Sequence, residues 1–411
     1  MITIQEKKDC CGCSSCAQIC PRQCITMSSD DEGFKYPHVD AARCIDCGLC
    51  EKVCPVINQA SPQKPQAVYA AKNKDENVRM KSSSGGIFTL LAESVIQAGG
   101  VVFGARFDSE WNVVHDYTES VEGLEAFRGS KYVQSDIGNN FKKAEAFLHV
   151  GRKVLFSGTP CQIAGLKKFL RRDYDALLTV EVVCHGVPSP MVWRDYLEYK
   201  RAKRAAGKNS VSSSLNELPV ITGISFRDKS NGWKKYGFKI CYAASKAAEN
   251  TVSKSADTPN YEITPFNEDV FMRGFLKDLY LRPSCYHCAA KEGRSGADIS
   301  IADYWGVGHF HPAITDDRGV GLILLNSEMG VRCCEMIRPQ MQSERSEYKN
   351  ALSANRAIIA SVCEPKYRRL FWQEYRLRNI EAIGRVCSKI KAPLWIRCKM
   401  KLAAIVNRTG R

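Results

Sequence analysis

The chain has 411 residues, 44% of them hydrophobic, 20 cysteines and a net charge of +15. That length suits two or three domains with a real core. The start MITIQEKKDCC has no apolar leader-like run and no stretch of 18 apolar residues occurs, so a membrane span is excluded and a reducing, cytoplasmic setting is expected, in which thiols bind metal.

Two runs near the start share one spacing: Cys10, Cys13, Cys16, Cys20 with Pro21, and Cys44, Cys47, Cys50, Cys54 with Pro55. Soft thiolates at two-residue gaps wrap one 4Fe-4S cubane, and the fourth cysteine of each run reaches the other cubane. Cys10, Cys13, Cys16 and Cys54 are therefore expected to hold one cluster, and Cys44, Cys47, Cys50 and Cys20 the other. A zinc module would use two-plus-two spacing, and a disulfide framework needs a secreted context. Cys11 and Cys24 fall outside the pattern and read as small buried side chains.

A linker, NQASPQKPQ, follows and marks a domain boundary. Beyond it the spacing predicts strands at 67–71 and 101–107, a helix over 86–97, and a strand at 153–157 running through a turn into a helix over 161–171. A strand at 177–183, a helix from 190 to about 204, an exposed loop at 206–219 and a hairpin pair over 221–242 complete an α/β body without solenoid repeats. Three turns suit a phosphate or flavin. Ser82-Ser83-Ser84-Gly85-Gly86 precedes a helix, where serines can cap and glycines let backbone N–H groups reach an anion. Gly129-Ser130-Lys131-Tyr132 joins a flexible turn, a cation and a ring. Gly158-Thr159 lies where a strand hands over to a helix.

Cys161, Cys184 and the pair Cys285/Cys288 could build a third 4Fe-4S site, or the C-x-x-C could be a redox dithiol. Cys241, Cys333, Cys334, Cys363, Cys387 and Cys398 lack ligand spacing and read as structural. From Arg376 to Arg411, ten Lys or Arg stand against Glu381 alone, which places +9 of the +15 in the last 36 residues. With its apolar residues this tail suits an anionic membrane surface, a helix packed on the body or a partner, or, least of the three, nucleic acid.

The stretches SSSGG, RGSKYVQS, FSGTPCQIAGLKKFL, VVCHGVPSP, FRDKSNGW and RPSCYHCAAKEGRSGADISIADYWG resemble the coenzyme F-420 hydrogenase/dehydrogenase beta subunit family, here behind a two-cluster ferredoxin. The resemblance spans roughly residues 1 to 340. It implies FAD in the α/β body beside a third 4Fe-4S cluster, exchanging hydride with coenzyme F-420 or another two-electron substrate while the clusters carry single electrons. Lys131 is expected to balance charge on flavin or phosphate, Tyr132 to stack on a ring, and Asp303 with Trp305 to close the site unless Asp303 is only a turn former. His185 would move a proton or hydrogen-bond to sulfur. The expected layout is a ferredoxin domain at 1–60, a flavin and iron–sulfur domain at 61–345, and a basic helical extension at 346–411. The alternative is an electron-transfer subunit without its own substrate, feeding a redox partner such as a surface-polysaccharide enzyme. No G-x-G-x-x-G follows a strand to suggest NADH. A cytoplasmic protein is expected, with peripheral contact at the inner membrane surface through its tail and no nucleic-acid role.

Overall fold

The computed structural model describes residues 1–206, 218–243 and 260–390. Most of the loop expected at 206–219, and residues 391–411 of the basic tail with Cys398, lie outside the described residues. The chain begins with α1 (Ser15–Ile19), β1 (Ile25–Ser29), β2 (Lys35–Val39) and α2 (Leu49–Lys52). Next come β3 (Ala67–Asn73), α3 (Glu76–Lys81), α4 (Ile87–Gln97), β4 (Val101–Phe107), β5 (Val113–Thr118), α5 (Asn140–His149), β6 (Val154–Gly158), α6 (Pro160–Leu170), β7 (Leu177–Val182) and α7 (Pro190–Ala206). They are followed by β8 (Ile221–Asp228), β9 (Gly237–Tyr242), β10 (Tyr261–Pro265), α8 (Val270–Phe275), β11 (Ile299–Asp303), α9 (Val307–Phe310), β12 (Gly321–Leu325) and α10 (Glu328–Ile337). Last are β13 (Met341–Ser346), α11 (Tyr348–Ala354), α12 (Arg368–Arg378) and α13 (Glu381–Lys389).

The main sheet has the order β13-β3-β12-β11-β7-β6-β4-β5. β4, β6, β7 and β11 pair in parallel, and β3 shares their direction because both it and β11 are antiparallel to β12. The sheet is thus mixed, with β12 reversed inside it. Its apolar strands are covered on both faces, as such runs require. Val102 and Leu155 face α4 and α10 in one apolar cluster, whereas their neighbours Val101, Phe103, Val154 and Phe156 face α5 and α6 in another. α4 starts one residue later than the spacing predicts, because Gly86 is left-handed at φ 79°. α6 begins on Pro160, and Gln162 accepts the backbone N–H of Thr159 at 2.9 Å.

A further core cluster lies largely off the sheet. Trp193 and Tyr196 of α7, Phe226 and Phe238 of the β8-β9-β10 sheet, Phe271 of α8, and Phe371, Trp372, Tyr375 and Ile383 of α12 and α13 share one apolar cluster. The chain after residue 346 therefore supplies part of the body's core. Arg368 of α12 also reaches the β1-β2 hairpin, giving one Nη to Glu32 at 3.0 Å and the other to Glu32 and to Leu281 O at 3.2 Å. Among the described residues, no helix is long and apolar enough to cross a membrane.

Two buried polar groups make the packing testable. Removing one member of a buried ion pair strands the other charge, at about 3–5 kcal/mol. Glu32→Ala should therefore lower the denaturation midpoint sharply, whereas the double change Glu32→Met with Arg368→Leu should recover much of the loss. His115 is buried, sharing Nδ1 with Ser135 Oγ at 2.9 Å and Nε2 with Ser157 O at 3.0 Å. Burial drops its pKa from 6.5 to about 4. A depressed folded-state pKa for a base means that its contribution, about 3 kcal/mol, is present above pH 6.5 and lost as pH falls toward 4. Chemical denaturation across that window should show a shallower decline in His115→Gln than in the parent chain.

Candidate redox site

The ligand loops of the N-terminal module share one backbone pattern. Residues two and four places after the first cysteine of each run are left-handed: Gly12 and Ser14 in one, Asp46 and Gly48 in the other, with φ between 48° and 72°. These turns fold each run back on itself, and Asp46 N–H donates to Cys44 Sγ at 3.4 Å. The prolines aside, the runs do not stay separate. Cys16 and Cys54 lie within electrostatic reach of Cys10 and Cys13, while Cys20 joins Cys44, Cys47 and Cys50 around a cavity of about 360 Å³ including its open mouth. Cys24 lines the same cavity, 3.4 Å from Cys20 sulfur. Burial pushes the Cys16 and Cys54 thiols up, and iron, when bound, would hold them as thiolates. Among the described residues no three donors converge on a point as about a single ion.

A second set meets at the carboxyl edge of the parallel strands. Cys161 is in the first turn of α6, Cys184 follows β7, Cys285 lies within the turn Pro283–His287 and Cys288 ends it. All four line one cavity of about 610 Å³ including its open mouth, together with Cys11, His185, Arg282 and Lys291. Thr159 Oγ1 lies 3.3 Å from Cys161 Sγ, and Val187 N–H donates to Cys285 Sγ at 3.4 Å. Cys11 is buried, as its position outside the run suggested, but it is not isolated: its sulfur interacts with both Cys13 and Cys161. The Cys10-Cys11 doublet was the available signal. Arg282, absent from the sequence-based site, donates to Cys10 O at 2.7 Å, Lys35 O at 2.9 Å, Gln134 Oε1 at 3.0 Å and Cys10 Sγ at 3.5 Å.

The phosphate and flavin candidates lie along the same edge. Ser130 N–H donates to Ser83 Oγ at 2.7 Å, which draws the two turns together. Ser84 gives its hydroxyl to Val320 O, and no side chain caps α4 at Gly86, so the serines do not serve as the expected cap and the positive helix end is left for another acceptor. Gly85 also has a packing reason. A Cβ there would stand 2.4 Å from Ala71 O and 2.6 Å from Gly321 N, so the sheet excludes a side chain before any ligand does. Gly129 is left-handed at φ 78° in open space. Lys131 Nζ donates to Arg128 O and Gly129 O at 3.1 and 3.3 Å, and burial without a paired carboxylate lowers its pKa to about 7. Gly158 and Thr159 shape the start of α6, and Thr159 is occupied by Gln162 and Cys161.

An aromatic path joins the two regions. His185, paired with Asp278 at 2.5 Å, sets its edge on Phe275 at 5.6 Å. Tyr132 stacks on the same ring at 4.9 Å. Its hydroxyl accepts from Arg227 at 3.2 Å, and Arg227 pairs with Asp303 at 2.8 Å. Asp303 also accepts from Trp233 Nε1 at 3.0 Å, and Trp233 stacks on Trp305 at 4.8 Å. Asp303 is therefore a partner of a buried cation, not a turn former alone. Arg227, Lys229 and Trp233 belong to the FRDKSNGW stretch, whose spacing gives none of them a role; Lys229 Nζ ties Arg79 O, Ser84 O and Arg318 O together.

Paired cysteine runs beside a doubly covered sheet, with thiols and cations on its carboxyl edge, define an iron–sulfur protein of the oxidoreductase type. Residues 151–350 match the family described as the C terminus of the coenzyme F420 hydrogenase/dehydrogenase beta subunit, and 4Fe-4S dicluster domain models match 9–58 and 40–97. Residues 151–350 are thus similar to the C-terminal part of that beta subunit, and the chain carries a 4Fe-4S dicluster module at its N-terminal end. It is 28% identical over 197 residues to the coenzyme F420-dependent sulfite reductase of Methanocaldococcus jannaschii, covering 46% of this chain and 29% of that protein. Over 65 residues it is 46% identical to ferredoxin 7Fe of Hydrogenibacillus schlegelii, covering 15% of this chain and 77% of that one. A structure of the F420-reducing [NiFe] hydrogenase complex from Methanosarcina barkeri aligns over 72% of this chain and 91% of that chain, with 17% identity and a TM-score of 0.45. The chain spans under a third of the sulfite reductase's length.

The packing of Gly85 gives a direct test. Gly85→Ala should destabilise the protein by about 1–3 kcal/mol through overpacking, visible as a lowered Tm whether or not flavin is added. An unchanged Tm would remove the packing constraint on Gly85.

Proposed function

We propose that the chain is an iron–sulfur flavoprotein oxidoreductase with three 4Fe-4S clusters and FAD. The observation that carries this reading is the meeting of Cys161, Cys184, Cys285 and Cys288, from three separate segments, around one cavity beside the first cysteine run. Cys10, Cys13, Cys16 and Cys54 would hold one ferredoxin cluster, Cys20, Cys44, Cys47 and Cys50 the other, and the four body thiols the third. Ser83, Ser84, Gly85, Gly86, Gly129 and Ser130 would take the FAD diphosphate at the uncapped start of α4, with Gly158, Thr159 and Asp303 shaping the surroundings. FAD, when bound, supplies the exchange of hydride pairs for single electrons.

The chain's own groups then have assigned work. Lys131 offsets negative charge, Tyr132 presents a ring backed by Phe275, and Arg227 holds the Tyr132 hydroxyl and Asp303 in place. His185, held by Asp278 between Cys184 and Phe275, keeps or moves a proton at Nε2. Coenzyme F-420 or another two-electron substrate would be the hydride partner, and a ferredoxin or other redox protein the one-electron partner. A second reading is an electron-transfer subunit serving another enzyme, in line with the description of the matched family as a beta subunit. Contact with an inner membrane surface from the cytoplasmic side rests on the composition of residues 376–411.

Anaerobic preparation should give FAD and about twelve irons per chain, with Cys184→Ser losing about four. The dithiol reading requires about eight irons with intact flavin. Lys131→Ala should keep the fold and weaken FAD binding. Because Lys131 gains its charge only as pH falls through about 7, the parent's FAD affinity should decline above that pH, whereas the variant's should stay flat in a fluorescence titration. Rapid reduction by NADH, or full iron without flavin, would sink the assignment.

A further inference from the structure

Two groups where the module meets the body belong to none of the ligand sets. Arg282 is 1% exposed and lies three residues before Cys285, yet its guanidinium donates to the sulfur and carbonyl of Cys10. Cys11 lines the same cavity as Cys161 and lies within electrostatic reach of Cys13 on one side and Cys161 on the other. Both residues line the body thiol cavity. The other ferredoxin set faces away: Cys47 is exposed, Cys44 partly so, and Ile45 is 60% exposed beside them.

Resting on the three-cluster reading above, we propose that Arg282 and Cys11 form the electron-transfer junction between the cluster of Cys10, Cys13, Cys16 and Cys54 and the third cluster. That ferredoxin cluster is then the near one, and the cluster of Cys20, Cys44, Cys47 and Cys50 is the outer one, which meets a low-potential one-electron donor. At the junction one electron leaves the near cluster, oxidising it by one unit, and reduces the third cluster by one unit; no bond changes and no proton moves. A cationic N–H on a ligand sulfur stabilises the added negative charge of the reduced near cluster and raises its potential. Cys11 fills the gap with a polarizable sulfur, and tunnelling falls steeply with gap width. The ammonium of Lys291, bound to Cys184 O at 2.5 Å and Ala357 O at 2.6 Å, adds a second buried cation on the far wall of the same cavity.

The test uses the full chain, reconstituted anaerobically with iron and sulfide, with dithionite as donor and spectra recorded by electron paramagnetic resonance. The near cluster is identified as the signal lost in Cys16→Ser. Arg282→Gln should retain about twelve irons and lower the near cluster's one-electron affinity about tenfold, a shift of about 59 mV for one electron. Arg282→Lys should recover part of that shift. Cys11→Ala should leave iron content and all potentials in place and slow reduction of the third cluster after mixing, so the proposal stays testable if Arg282→Gln does not fold. A wild-type rate in Cys11→Ala, a shift falling on the outer cluster, or a full-iron Arg282→Gln with an unmoved potential would each overturn the junction. About eight irons in the unmutated chain would instead defeat the three-cluster reading, and the junction with it.

Discussion

The guanidinium of Arg282 is the contact on which the arrangement of the two halves depends. A buried cation is tolerated only when its donors are satisfied, and Arg282 finds acceptors in Cys10 and Lys35 of the N-terminal module and in Gln134 of the body, with the Tyr36 ring 4.3 Å away. Separating the halves would strand that charge. Ser15 adds a bond to Gly165 O at 2.9 Å, and Gln18 Oε1 accepts two backbone N–H groups at the start of α5. The approach is close enough that small residues are required: a Cβ on Gly165 would stand 2.8 Å from that of Cys13, and one on Gly33 would stand 2.4 Å from that of Met191. The ferredoxin module is thus seated in the body and not tethered to it.

That seating explains why the chemistry collects on one edge. Parallel strands deliver their carboxyl ends together, so Gly158, Cys184 and Asp303 reach the same side of the sheet although they are far apart in sequence. The first cysteine run is pressed against α6 at Gly165, one turn from Cys161. The aromatic path through His185, Phe275 and Tyr132 then leaves the thiol cavity toward the Lys131 turn. One edge consequently carries the soft donors, with Arg282 and Lys291 among them, and farther along it the cations Lys131 and Arg227.

The cations on this edge differ in how they are compensated. Arg227 has Asp303, whereas Lys131 and Lys229 have mainly carbonyl partners and carry pKa values lowered by burial to about 7 and about 8. A lysine in that condition is poised to accept an anion, because the anion restores the charge that burial disfavours. Arg227, fixed in its ion pair, orients Tyr132 and Asp303 regardless of ligand.

What the sequence determined by itself was whatever is encoded locally. Ligand spacing is set within a few residues by left-handed turns at Gly12 and Gly48, so the paired runs were legible from their spacing alone. Strand and helix periodicity placed β4 at 101–107 without error and most others within a residue or two, because apolar alternation over a short window directly reflects which faces are buried. The tertiary structure decided what depends on residues far apart. Arg282 meets Cys10 across 272 positions, Cys11 lies within reach of Cys161, β12 runs against its neighbours, and Gly85 must fit between strands β3 and β12. The stretch after 346 read as basic from its charge, yet α12 and α13 turn Phe371, Trp372 and Ile383 into the core. No local pattern announces such pairings, since the burial that makes them favourable exists only once the sheet has brought the segments together.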